Sequence, residues 1–302
     1  MAHSYALGNY LLKLISNRRV GPGMNLAALQ HDQHKYYRVS LIAKAYDYPS
    51  SALPSKASSS LTDSGVKMLF SLPLLVAPAL VAAHGAVTSY EIGGKTYEGY
   101  QGFSPVPGAQ IIQRQWPDYN PIMTVTDPKM TCNGGTSAPL AAEVAAGQNV
   151  TAFWKQWTHQ QGPVMVWLYS CDGEFSACDG KGKKWFKIDE MGLWGNVLNS
   201  NNWGTAIVFK DLKWSSRIPK NLKPGNYLIR HELLALHQAN TPQFYPECAQ
   251  IKVTGSGTAT PPANLLTSIP AYAAQSDPGI MVDIYQGGGT SYKAPGPAVW
   301  TG

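Results

Sequence analysis

The chain is predicted to fold as an all-β, immunoglobulin-like antiparallel β-sandwich with long loops, and three features of its sequence point there. After residue 84, short runs rich in β-branched and aromatic residues recur. Turn signals such as Gly93-Gly94, Asn133-Gly134-Gly135 and Pro224-Gly225 separate them. All four cysteines lie in the same stretch, and an even count in an exported chain reads as a disulfide framework.

Asn149 to Trp154 and Pro163 to Ser170 (PVMVWLYS) have the composition of strands, as do Trp185 to Ile188 and Thr205 to Phe209. Cys248 to Thr254 alternates apolar and polar residues, the mark of a half-buried strand. Tyr227 to His237 is compatible with a helix by propensity, but Pro224-Gly225 and the neighbouring strands favour a strand. Its His231 and His237 would stand roughly 20 Å apart on a strand and about 120° out of line on a helix, so the two cannot share one metal ion. From Gly255 onward the chain has the Gly/Pro/Ser/Thr/Ala composition of a floppy tail. It nonetheless carries Tyr272, Tyr285, Tyr292 and Trp300, which a linker would not need. Three cysteine pairings are possible. Cys171–Cys178, closing a short loop, and Cys132–Cys248, closing a long one worth up to ~4–5 kcal/mol of chain entropy, are the favoured set.

With 302 residues the chain is long enough for one large domain or two small ones. Charged residues make up 14 % and apolar residues 44 %, so a proper core is possible. Nine Trp and sixteen Tyr suit a core or a face that stacks on flat ligands. The net charge of +6 suggests nucleic acid until it is located: eight of the 24 basic residues and three of the 18 acidic ones precede residue 68. The remainder is close to neutral and carries no basic stripe, which excludes nucleic acid as a partner.

Residues 68–83 (MLFSLPLLVAPALVAA) follow Lys67 and have the anatomy of a secretory signal, with Val81-Ala82-Ala83 at the cleavage site. The run is too short and Pro-broken to span a bilayer, and a buried strand or helix is its alternative. Residues 1–67 then read as an extension of the gene model, disordered if made; a targeting peptide is the weaker alternative. The functional domain is expected over 84–302, secreted and extracellular, with no membrane partner and as a monomer.

Four histidines follow the signal: His84, His159, His231 and His237. Cleavage before His84 makes it residue one. It then offers two nitrogens, its α-amine and its ring Nδ1, and a second His completes an all-nitrogen set of the kind that suits copper. The amine, with an ordinary pKa near ~8, must lose a proton to bind. Alone, His159 or Tyr245 would read as an ordinary core residue.

Several segments carry a resemblance: His84-Gly85; Met130-Thr131-Cys132-Asn133; Trp157-Thr158-His159-Gln160-Gln161-Gly162-Pro163-Val164; and Pro224 through Glu232. Ala235-Leu236-His237, Gln243-Phe244-Tyr245-Pro246 and the terminal Pro295-Gly296-Pro297 complete it. Together they resemble auxiliary activity family 9, the fungal lytic polysaccharide monooxygenases, over the whole stretch 84–302. The resemblance implies one copper ion in a brace of His84 and His159, with Tyr245 at a distant axial position. His237 and Gln243 would act as neighbouring donors that steer dioxygen or hydrogen peroxide. It also implies an external electron donor, whether a small molecule or a protein. Cellulose or a related β-1,4-glucan would be hydroxylated at C1 and/or C4, after which the glycosidic bond breaks by elimination. Tyr292 and Tyr90, or a Tyr in 97–100, are candidate substrate-stacking rings; His231 reads as structural. Asn149-Val150-Thr151 is a glycosylation sequon set in a probable strand. Two rivals remain: a hydrolase using two carboxylates from among Glu174, Asp189, Glu190 and Glu232, and a non-catalytic carbohydrate- or copper-binding β-sandwich.

Overall fold

The structure, a computed structural model, describes residues 84–286 and 290–302. The extension over 1–67 and the signal over 68–83 lie outside the described residues. The strands are β1 (Val87–Ile92), β2 (Lys95–Glu98), β3 (Ala142–Ala145), β4 (Asn149–Trp154) and β5 (Val164–Ser170). They continue with β6 (Trp185–Met191), β7 (Lys213–Arg217), β8 (Gly225–Ala235) and β9 (Gln243–Thr254), and a helix α1 (Gly204–Asp211) precedes β7. One sheet has the order β2-β1-β4-β7 and the other β3-β9-β8-β5-β6. All pairings are antiparallel except β3 with β9, which is parallel.

The continuous apolar run of β5 has a clear cause: both of its faces are buried. Val164, Val166 and Leu168 face the first sheet together with Ile229 and Leu233, sharing one core with Ala152 of β4. Met165, Trp167 and Tyr169 point the other way, into a second core closed by Ile269, Tyr272 and Ile280 from the C-terminal segment. The segment after Gly255 is therefore the lid of that core. The backbone of Thr267 pairs with that of Trp185, the Trp300 N–H donates to Lys187 O at 2.8 Å, and the Trp300 ring meets Phe186 edge-on at 5.4 Å. Lys187, its side chain fully buried, donates from Nζ to Pro295 O at 2.9 Å and to Glu190 at 2.6 Å, and its Nζ lies 5.0 Å from the centre of the Trp167 ring.

Two elements depart from the sequence expectation. Thr205 to Phe209 is helical, because its buried positions Gly204, Thr205 and Val208 follow a helical spacing and the run ends at Leu212 in the left-handed region (φ 51°). Here tertiary packing overrides a β-branched composition. β7 (KWSSR) is too polar to be noticed in sequence; its pairing with β4 makes it a strand.

The disulfides are Cys132–Cys248 and Cys171–Cys178, with Cα–Cα separations of 5.2 and 5.4 Å. Beside the first, Arg230 and Glu232 form a fully buried ion pair. The Arg230 Nη2 donates to Met130 O at 2.8 Å, and Tyr272 donates to the second Glu232 oxygen at 2.7 Å. Removing one member strands the other charge in the core, so Glu232→Ala is expected to cost about 3–5 kcal/mol. Urea unfolding would show this as a lower midpoint at unchanged slope, and an unmoved midpoint would contradict it.

Candidate metal centre

Five elements meet at one end of the sandwich: β1 begins there, β4 ends, β5 begins, β8 ends and β9 begins, as the pairs Val87↔Trp154, Val164↔Leu233 and Ala235↔Gln243 require. The sequence-predicted residues sit on these ends. His84 precedes β1, His159 lies in the β4–β5 connection, His237 follows β8, and Gln243 and Tyr245 open β9.

The His84 and His159 ring centres are 5.5 Å apart, and the Tyr245 ring lies 5.7 Å from His84 and 6.2 Å from His159. Trp157 stands edge-on to both His159 (5.3 Å) and Tyr245 (4.9 Å), filling the space behind them. The Tyr245 hydroxyl donates to Gln243 Oε1 at 2.8 Å. His237 stacks on His159, ring centres 3.9 Å apart and planes within 6°. The His159 Nε2 and the His237 Nδ1 are buried without hydrogen-bond partners.

Burial, with His237 and His84 adding to it, lowers the His159 pKa to about 4; burial also lowers His84 and His237. The imidazoles are thus held neutral with free lone pairs, the state a metal requires. Burial, reinforced by Glu247, raises the Tyr245 phenol far above its ordinary range, so the hydroxyl stays protonated. Among the described residues no group of three or more His, Cys, Asp or Glu converges on a metal position. Two imidazoles over a protonated Tyr become a closed ligand set only when the α-amine of His84 supplies the third nitrogen, and the orphaned His159 Nε2 fits that set.

Local packing holds both histidines in place. A Cβ on Gly85 would lie 1.8 Å from Gln156 O, so the residue after His84 has no room for a side chain. Gln156 in turn hydrogen-bonds the His84 carbonyl. The His159 loop docks on the end of β8: Leu236 N–H donates to Gln161 O at 2.9 Å and Leu234 N–H to Pro163 O at 3.1 Å. Gly162 O receives both the N–H and the hydroxyl of Thr205.

The surroundings correct one expectation and extend another. Tyr90 is fully buried between the sheets and cannot touch a polymer. A bulge between Val87 and Ser89 shifts the phase of β1, turning Tyr90 inward. Tyr292 is half-buried, edge-on to Trp203 at 4.7 Å, with its hydroxyl donated to Gly279 O. Of the alternatives in 97–100, Tyr97 packs against the core and Tyr100 meets Trp116 edge-on. An exposed ring beside His237 that sequence reasoning noted in the tail but did not assign to the site is Tyr285. It is 53 % exposed, with its hydroxyl donated to His237 O at 2.7 Å. No local motif marks it, because it comes from the tail that folds back over the second core. His231 is buried in the sandwich, away from solvent. Asn149 is exposed at the start of β4, the end remote from His84, with Thr151 on the same outward face.

The four carboxylates of a hydrolytic alternative do not pair. Glu232 is locked to Arg230, Glu190 to Lys187, Asp189 accepts from Trp214 and Ser216, and Glu174 is exposed ahead of a 3-10 turn.

A family model, Auxiliary Activity family 9 (formerly GH61), matches residues 84–292. The chain is 56 % identical over 245 residues to AA9 family lytic polysaccharide monooxygenase D of Thermothelomyces thermophilus, covering 78 % of this chain and 95 % of that one. It is 46 % identical over 244 residues to AA9 family lytic polysaccharide monooxygenase B of Heterobasidion irregulare, covering 78 % and 100 %. In structure it resembles a cellulose-active polysaccharide monooxygenase from M. thermophila, with a TM-score of 0.69 at 56 % identity over 72 % of this chain and 99 % of that one. With a family match spanning the stretch that begins at His84 and relatives aligned over nearly their whole length, the chain belongs to auxiliary activity family 9, the lytic polysaccharide monooxygenases.

Proposed function

We propose that the mature protein begins at His84, is secreted, and cleaves cellulose or a related β-1,4-glucan oxidatively with one copper ion. The observation that carries this is the convergence of His84 and His159 over Tyr245, with the His159 Nε2 buried and unpartnered. The His84 amine, the His84 ring and the His159 Nε2 would hold the copper. When bound it would supply one-electron redox chemistry, with dioxygen or hydrogen peroxide as oxidant and an external reductant as electron source.

The chain's own residues do the rest. Tyr245, protonated and fixed by Gln243, would restrict access to a metal held by the two histidines. His237, stacked on His159, brings a third imidazole with an unsatisfied Nδ1 to the site, a donor or acceptor for a small oxygen ligand. Tyr285 offers an exposed ring beside His237 on which a glucose unit can stack, and the exposed part of Tyr292 offers a second. A hydrolytic route would need a general-acid carboxylate beside this site, and the candidates are committed elsewhere. N-glycosylation at Asn149 would stand clear of the site.

The test is a mass spectrum of soluble products from protein beginning at His84, loaded with one copper and incubated with cellulose and ascorbate. Aldonic-acid or 4-keto oligosaccharides that vanish without copper or reductant are expected, and their masses report C1 or C4 attack. Unoxidised sugars, indifferent to reductant, would replace the proposal with hydrolysis. Binding to cellulose without products on any β-glucan would replace it with a non-catalytic module.

A further inference from the structure

Behind Tyr245 lies a group of buried polar side chains that the proposed chemistry does not use. His231 and Glu247 are direct cross-strand partners on β8 and β9, and both point into the core between the sheets. From the facing sheet, Tyr90 brings its ring centre to 5.8 Å from that of His231, and Trp154 meets His231 edge-on at 6.2 Å. Both His231 nitrogens, the Glu247 Oε2, the Trp154 Nε1 and the Tyr90 hydroxyl are buried without partners. An unpaired buried polar atom costs roughly 1–3 kcal/mol, so five in one neighbourhood call for a shared ligand.

Donor and acceptor types identify that ligand. A neutral imidazole gives one donor and one acceptor, and the Trp indole gives one donor. The buried Glu247 carboxyl adds its unpartnered Oε2 to the same space. A group that accepts and donates at once, with two to four partners in a closed polar space, is an ordered internal water.

The position of the group gives it a use. The Val87 backbone N–H is hydrogen-bonded to the Glu247 carboxyl. Val87 is the residue at which the bulge interrupts the β1–β4 ladder, so its amide needs a partner from outside the ladder. The Val87 carbonyl is held by Gln113 Nε2 at 2.9 Å. Glu247 therefore ties down the third residue after His84, one pleat behind Tyr245 on the same strand.

We propose that His231 and Glu247, closed by an enclosed water, form a buried anchor that fixes the start of β1 and thereby positions His84 for the metal. Glu247 and His231 are positioning residues in this scheme, and the scheme rests on reading His84 as a ligand.

Hydrogen exchange at the Val87 amide in metal-free protein tests the anchor without depending on copper. Glu247→Leu is expected to speed that exchange at least about tenfold. Glu247→Gln, which keeps an acceptor oxygen, should stay near the wild type. Should Glu247→Leu not fold, the double variant His231→Val/Glu247→Leu replaces the pair by apolar groups that a core tolerates and should show the same fast exchange. With copper added, the Leu variants should give a broadened Cu(II) electron paramagnetic resonance spectrum, and Glu247→Gln the wild-type spectrum. A crystal structure of the wild type should place an ordered water against His231 and Glu247. Unchanged Val87 exchange in the Leu variants, or no water against His231, overturns the anchor. A wild type that shows no N-terminal copper signal would instead overturn the ligand reading, with the exchange result standing independently.

Discussion

A protein that begins one residue before His84 is expected to bind copper more than ~100-fold more weakly than one beginning at His84, and to release no oxidised sugars from cellulose. Loss of a neighbouring, non-ligating partner typically costs 10–100-fold in metal affinity, and loss of a ligand should exceed that. The reason is the composition of the site. The His84 and His159 imidazoles near Tyr245 supply two nitrogens; His237 lies flat against His159 rather than completing the set, and among the described residues no group of three or more His, Cys, Asp or Glu converges on one metal position. The amine exists only if the peptide bond ahead of His84 is cut. An added Ala leaves the fold intact, because the first strand begins only at Val87, so isothermal titration with Cu(II) isolates the ligand effect. An extended protein that binds copper as tightly as the mature form would show that the amine is not a ligand.

Gly162→Ala is expected to be the most damaging single-methyl change in the molecule. Gly162 has φ of 135°, in the left-handed half of the map, and a Cβ there would sit 1.8 Å from the Leu234 carbonyl oxygen. The backbone strain alone costs of order 1–3 kcal/mol. The clash is with main chain that cannot rotate away, so the total should reach about 4 kcal/mol or more, in the exceptional range for a point mutation. For a domain of this size that is a fall of roughly 10 °C in melting temperature. Relief of the clash must lift the β4–β5 connection off the end of β8, carrying His159 with it. The copper affinity should therefore fall alongside the melting temperature. Calorimetry on the metal-free protein, followed by copper titration, separates the two, and a melting temperature within 2–3 °C of the wild type would refute the packing argument.

The residues of the candidate site were legible because the argument for them is local. A signal-like run ending at Ala83 and a His directly after it suggest a two-nitrogen ligand without any knowledge of the fold. The segments around His159, His237, Gln243 and Tyr245 are each short enough to be recognised along the chain, and the structure brings all of them to one end of the sandwich. The disulfides followed from loop lengths and an even cysteine count.

The β-strand reading succeeded where burial imprints itself on composition, as in β4, β5 and β9, and failed where neighbours dictate conformation. Thr205 to Phe209 looks like a strand and is a helix, because the interior it meets is spaced for one. Tyr90 was misread as a surface ring because a single-residue bulge reverses inside and outside, and nothing in VTSYEI signals the bulge. Tyr285 was noted in the tail but not assigned to the site for a different reason: its place beside His237 depends on a return of the chain across the second core, nearly fifty residues after the histidine. The sequence by itself determined the strand-rich class and the cysteine framework, since each depends on residue type and short spacing, and it supplies the ground for the proposed cut before His84 and the proposed ligands. Only the tertiary structure decided which aromatic rings face solvent, how the tail is used, and that His231 meets Glu247 behind the metal centre, because these depend on which chain segments pack against one another.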